Sequence, residues 1–500
     1  MNKKAKQLAL SLPVVLTLVA CADDGYNEDE KWITDVQNSQ LESPTAISIS
    51  KSSTSDTEKT VVFTWDVVHG AGGYLLSITN ISNPDNPYAV VTDSLIDRCS
   101  AALVLPNEET YEISLLTASN KKYKNKGSEQ PVTAKFDTYV ASQTIPVGEE
   151  IATWVAANLK DTTAEQGFAL IAGATYHLDT IVDFRLNTIE FRGDKNNAPI
   201  IIVGEHGAFM TQGGLKIRDL YIDCSDMTKT GLLLLSNDPA DCLSTASLGY
   251  KALGANQDGF VIQNPVSFQN CLVKNLPKSL LYGNKQNWTL LDFRVTNCII
   301  QSKSLENTKP IINLTDASNG LIQKLLISNT TFFNSERNTG DNYFLRFSNS
   351  SNAQPRKVLG DSNNFLEWTI EHSSFLRTNP KQDFANNIPN AQNKGQLWIK
   401  VTDCVFFDLF RIYQIFASQW IQTTANNFVS YSDFCADSST DHGPDGRKDQ
   451  NGNCYTTLDE TPEFEDSQLK ELDFSLPNGG LNLAPKGLAQ TAQSGDPRWY

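Results

Sequence analysis

Five side chains are suited by type to hold an acidic, hydroxyl-rich ligand: Lys216, Arg218, Arg294, Lys400 and Trp398. Lysine and arginine offer charged hydrogen-bond donors to carboxylate and hydroxyl oxygens. An indole offers a flat apolar face for a sugar ring. The same four cations would serve equally as a solvated strand face, so their meaning depends on whether one surface gathers them. Proton-transfer and metal chemistry have less to work with. His206, in "GEHG" (204–207), reads as a plain loop residue. Cys-x-x-Cys spacing of the zinc type is absent, and no metal site is expected. The loop "DHGPDGRKDQNGN" (441–453) is oxygen-rich but lacks the Asp-x-Asp-x-Asp-Gly order, so no motif supports Ca²⁺. Cys435 and Cys454 flank that loop and Cys224 and Cys242 flank another. Each pair is a candidate disulfide, with connectivity left open.

The elements that would position these residues repeat one phrase. "VSFQNCLV", "FRVTNCII", "LLISNTTF", "WTIEHSSF" and "IKVTDCVFF" each alternate apolar residues into a small polar corner. Aligning the corners Asp219, Asn270, Asn297, Asn329, His372 and Asp403 puts every segment in one phase. The residues two and four before each corner are then always apolar, from Leu215 and Ile217 through Ile399 and Val401. Alternation without helical stretches between the repeats indicates a right-handed parallel β-helix, in which stacked coils bury together what one coil cannot. Asparagine at successive corners suits amide ladders. The longest interval, Asp219 to Asn270, fits either one coil with a loop or two coils. In this phase Lys216, Arg218, Arg294 and Lys400 point outward with a single carboxylate, Glu371, in the row. Trp368 points inward, and Trp398, one place before an inward residue, faces out. The other faces of the coil cannot be phased this way.

Composition narrows the partners. With 40% apolar and 20% charged residues the chain is a folded one. A net charge of −16 argues against nucleic acid, whose binding needs a basic face. "MNKKAKQLALSLPVVLTLVAC" has a basic start, a short apolar run and small residues before Cys21, the layout of an export signal. Leu18-Val19-Ala20-Cys21 resembles a bacterial lipobox, which implies lipid on Cys21. The following "CADDGYNEDE" resembles surface-export signals of lipoproteins in glycan-degrading Gram-negative bacteria. Residues 1–20 are thus the expected signal peptide, 21–41 an acidic tether, and the outer membrane, at the cell surface, the expected location.

Two architectures follow. Between 42 and 138 the period is two, with turn clusters between strands, as in an antiparallel sandwich. Trp65, Tyr74 and Tyr111 give it a resemblance to a fibronectin type III module. In "IPVGEEIATWVAANL", Ile151, Trp154, Val155 and Leu159 fall at helical spacing and predict a helix capping the solenoid of 145–500. The irregular tail from about 460 is expected to close the other end.

The order lipobox, sandwich, "PVGEEIATWVAANL", "GATYHL", coils and "GDPRWY" resembles uncharacterised surface lipoproteins of bacterial polysaccharide-utilisation systems with a pectate-lyase-like β-helix. That resemblance implies a setting of polysaccharide capture, beside neighbouring glycan-uptake proteins. The Asn-Thr-Asp, Asp-Asp, Gly-His-Gly and Arg-x-Lys motifs of polygalacturonases are missing from the solenoid. A calcium-dependent lyase would need clustered carboxylates, and the outward row has none. The expected function is therefore binding of polysaccharide, of a pectin-type, acidic kind, by a surface-anchored lipoprotein. The alternative is a polysaccharide lyase or glycoside hydrolase with an atypical site on another face. Catalytic residues are unknown in either reading, and no cofactor is expected.

Overall fold

The computed structural model describes residues 36–53, 58–83, 86–139, 142–162, 164–250, 259–303, 308–317, 320–337, 340–348, 354–389, 397–412, 421–432, 456–457, 464 and 466–500. Cys21, Cys435, Cys454 and the 441–453 loop lie outside them. The chain divides into two compact units, 1–140 and 141–500.

In the first unit seven strands form two antiparallel sheets. Ile47–Ser53, Glu58–Trp65 and Ser100–Pro106 make one; Tyr74–Asn80, Tyr88–Ile96, Thr110–Thr117 and Val132–Asp137 make the other. Alternate residues fill the space between them. Trp65 meets Tyr74 edge-on at 5.4 Å, and Tyr111 stacks on Phe136 at 5.4 Å. The Tyr111 hydroxyl donates back to the Pro106 carbonyl at 3.5 Å.

The second unit is a right-handed parallel β-helix. The chain passes in fixed rotation through three parallel sheets, I, II (including Tyr221–Asp223, Leu272–Leu276 and Val405–Leu409) and III (including Gly231–Leu235, Ser279–Tyr282, Ile312–Leu314, Leu345–Phe347 and Ala385–Asn386), and each strand pairs with the equivalent strand one coil on. Sheet I carries the repeated phrase: Leu215–Arg218, Val266–Gln269, Trp288–Thr296, Leu321–Ser328, Leu366–Glu371 and Leu397–Thr402 follow one another in it. Every residue placed inward by the corner alignment, from Leu215 through Val401, is buried. Leu215–Arg218 pairs directly with Val266–Gln269, so the longest interval is one coil with an excursion and not two coils.

The corners explain the small polar residues. Asp219, Asn270, Asn297, Asn329, His372, Asp403 and a seventh, Asn426, all have φ between 46° and 55°. This left-handed conformation turns the chain from sheet I to sheet II, and Asn and Asp tolerate it best. Asn297 Nδ2 donates to Asn270 Oδ1 at 2.7 Å, and Asn270 Nδ2 to Asp219 Oδ1 at 2.8 Å. The next residue turns inward, and its backbone N–H has no partner within the turn. The side chain one coil further on accepts it: Cys271 N to Cys298 Sγ, Cys298 N to Thr330 Oγ1, Thr330 N to Ser373 Oγ. Satisfying that buried donor is a physical reason for Cys, Thr or Ser there.

Helix α1 (Ile151–Asn158) caps the first coil, burying Ile151, Ala152 and Val155. Its N-cap is Glu150, whose carboxylate accepts from Thr153 N at 2.7 Å and Asp179 N at 3.1 Å. Burial alone would raise the Glu150 pKa, but these hydrogen bonds outweigh it and hold it below its ordinary value.

The tail corrects an expectation. Its described residues do not close the end of the solenoid; they run along the outer face of sheet II. Phe464, Leu469, Leu472, Leu481, Leu483 and Trp499 pack on Leu272, Ile299, Phe333, Leu376 and Val405. Sheet II strands are therefore buried on both faces and read as unbroken apolar runs such as "CII" and "TFF". Polar contacts pin the tail. Glu471 takes Lys274 at 3.0 Å and Asn275 at 2.8 Å. Asp496 accepts from Thr331 at 2.9 Å and pairs with Arg498 at 2.9 Å, and Arg498 reaches Asn297 Oδ1 at 2.8 Å. Burial raises the Asp496 pKa against the pull of Arg498 and Thr331.

Candidate functional site

The outer face of sheet I gathers the expected cations in register and also neutralises them. Lys216 opposes Ser267, which opposes Arg294; two coils beyond Arg294, Thr369 opposes Lys400. Lys216 meets Glu165 at 3.1 Å, Lys400 meets Glu371 at 2.5 Å, and Arg294 forms a two-pronged pair with Asp292. On the same face Arg192 meets Glu190 and Lys324 meets Glu367, each at 3.4 Å. Arg218 departs from expectation. It is 2% exposed, with Nε 2.8 Å from the corner carboxylate of Asp219, so it is a buried ion pair and not a solvent-facing donor.

Trp398 lies on this face, in register with Glu367, and is 43% exposed. Phe365 sits beside it, ring centroids 6.2 Å apart and tilted 44°. Together they form an aromatic ledge next to the Lys400–Glu371 pair. Trp368 and Trp288 are buried, their indole N–H groups donating to Ile322 O at 3.1 Å and Ser236 O at 2.8 Å.

The candidate Cys224–Cys242 bridge is not formed. Cys224 is a free, fully buried thiol inside the coil, while Cys242 is free and exposed. The alternation that turns Cys224 inward takes it away from the surface turn carrying Cys242. His206 sits in an exposed turn. Among the described residues, no three His, Cys, Asp or Glu side chains converge as a metal site.

Sheet III was invisible to the corner alignment, and its outer column differs in kind. Leu234, Tyr282, Asn313, Arg346 and Asn386 oppose one another in order on successive coils. Strand spacing sets neighbours ~4.8 Å apart. The column begins apolar, where Ala208, Leu234 and Tyr282 cluster, and becomes polar. The Tyr282 hydroxyl is bound to Asp316 at 2.5 Å; burial, then this carboxylate, raises its pKa. Asn313 is fully buried; its Oδ1 accepts from Thr315, and its Nδ2 has no partner among the described residues. The Arg346 guanidinium lies 4.7 Å from the centroid of the Tyr343 ring, and its buried Nε has no hydrogen-bond partner among the described residues. Around the column residue the three central segments read Leu-Tyr-Gly, Ile-Asn-Leu and Leu-Arg-Phe, the first strand ending at Tyr282. These strands are short and lead into no common corner residue, so sequence alone gives them no phase.

Comparisons with known proteins add little beyond this geometry. Residues 1–176 and 174–335 match two family models, each described as a domain of unknown function. No curated protein matches the chain. Two similar solved structures are of a pectate lyase from Erwinia chrysanthemi. The one in complex with tetragalacturonic acid is 11% identical, covering 58% of this chain and 84% of that chain, with a TM-score of 0.14. The other is 9% identical, covering 77% and 85%, with a TM-score of 0.12. Likeness at that level carries no weight here, and the fold rests on its own strand register.

Proposed function

We propose that the protein is a surface-anchored lipoprotein that captures polysaccharide on a rigid solenoid. Cys21 carries the lipid, residues 22–35 form a tether that ends where Asn38 and Leu41 pair with the sandwich, and the fibronectin type III-like sandwich is a spacer. The observation that carries the reading is the exposed Trp398 ledge, with Phe365 at its side and the Lys400–Glu371 pair beyond it. A flat ring beside charged donors and acceptors is the arrangement that stacks a sugar and binds its hydroxyls. Lys216 and Arg294 extend the same row as ion-paired donors.

Affinity electrophoresis of the purified protein through gels cast with pectin, rhamnogalacturonan or glycosaminoglycan tests this. Retardation by at least one polymer is expected, weakened about tenfold in Trp398→Ala, as loss of ~1.5 kcal/mol of stacking gives. Unretarded migration in every gel sinks the reading. Release of unsaturated products or reducing ends would replace it with a lyase or hydrolase.

A further inference from the structure

Two unpartnered donors on neighbouring coils call for a ligand. Asn313 Nδ2 is withdrawn from water without an acceptor, and the Nε of Arg346, directly in register, is in the same position. A buried donor left unmet is costly, more so on a charged group. On sheet I each named cation has its own carboxylate. Among the described residues Arg346 has no ion pair; it lies over the face of Tyr343. A guanidinium stacked on an aromatic ring keeps its edge for a planar two-oxygen acceptor. Asp316, holding the Tyr282 hydroxyl one coil before Asn313, is exposed and offers acceptor oxygens of the opposite character.

We infer that the outer column of sheet III is a binding site for a uronic-acid unit of a saccharide. The carboxylate lies on Arg346 and Asn313, and the ring hydroxyls donate toward Asp316. A bare phosphate or sulfate satisfies the first pair but has no use for Asp316. The inference deepens the capture reading by naming an acid group, and depends on it for the polymer but not for the site.

Calorimetry of the full chain with trigalacturonic acid, against a neutral galactose trisaccharide, is the test. The acidic trimer is expected to bind wild type. Arg346→Met should lose roughly tenfold or more, and Arg346→Lys less, because charge survives without the planar fork. Asn313→Leu, apolar and close in shape, should also weaken the acidic trimer, and the neutral one should not respond to Arg346. Equal affinity of wild type and Arg346→Met for the acidic trimer overturns the site, as does no binding to wild type. Arg346→Lys serves if the methionine variant does not fold. Gel retardation unaffected by Arg346 would leave capture standing and remove the site. Arg346-dependent trimer binding without gel retardation would do the reverse.

Discussion

The outer faces of sheets I and III share one core but treat charge in opposite ways. On sheet I, Lys216, Arg218, Arg294, Lys324 and Lys400 each find a carboxylate within the fold. On sheet III, Arg346 and Asn313 leave donors unmet. A row of cations in the sequence is thus no measure of a binding surface, since what counts is charge left over after folding. Exposed pairs contribute little stability, but they quench the local field that would attract an anion. One guanidinium held on a ring and left unneutralised is the stronger ligand for an acid.

The contrast can be broken at its shared base. Trp368 on sheet I stacks inside the coil on Phe347, the neighbour of Arg346 on sheet III, at 5.7 Å. Trp368→Ala should cost about 3–5 kcal/mol in chemical denaturation and disturb both faces together. Loss at one face alone would show that the core does not couple them. A smaller effect is expected at the corner between sheets I and II. Asn297→Ala removes the bond to Asn270 and the acceptor for Arg498, and leaves alanine at φ 53°. It should cost about 1–2 kcal/mol without changing ligand affinity at sheet III.

Glu150 gives the pH test. Its folded pKa lies below its unfolded value, so its stabilising contribution is present above the ordinary carboxylate range. That contribution is lost as pH falls through the folded pKa. Glu150→Gln should lower stability by about 1 kcal/mol near neutral pH and flatten the acid limb of a stability–pH curve. An unchanged limb would mean the cap is not set by this carboxylate. The smallest effect belongs to sheet I. Lys400→Met should shift stability by less than ~1 kcal/mol and cost the acidic trimer less affinity than Arg346→Met does. If it weakens that affinity as much as Arg346→Met does, the distinction between the faces is wrong.

Sheet I was legible because its corners are: the six aligned residues share one left-handed conformation and fix the phase of the four before each of them. The inward side of Trp368 and the outward side of Trp398 followed from that phase alone. Ion pairing did not, since Glu165 and Asp292 lie outside the alternating columns from which the row was read. Arg218 looked exposed because phase gives direction, not depth. Sheet III stayed hidden because Asn313 and Arg346 sit in three-residue strands between turns of unequal length. The tail read as an end cap because irregular sequence does not say which surface it covers. The unbroken apolar runs after each corner were the overlooked sign that sheet II needed a cover.

Native electrophoresis of the whole protein through acidic polysaccharide, beside the Trp398→Ala/Arg346→Met double variant, tests the central claim most directly. The account predicts a retarded wild type, a double variant that migrates as in a blank gel, and polymer left intact. Identical migration of the two proteins, or a polymer shortened by the wild type, would contradict it.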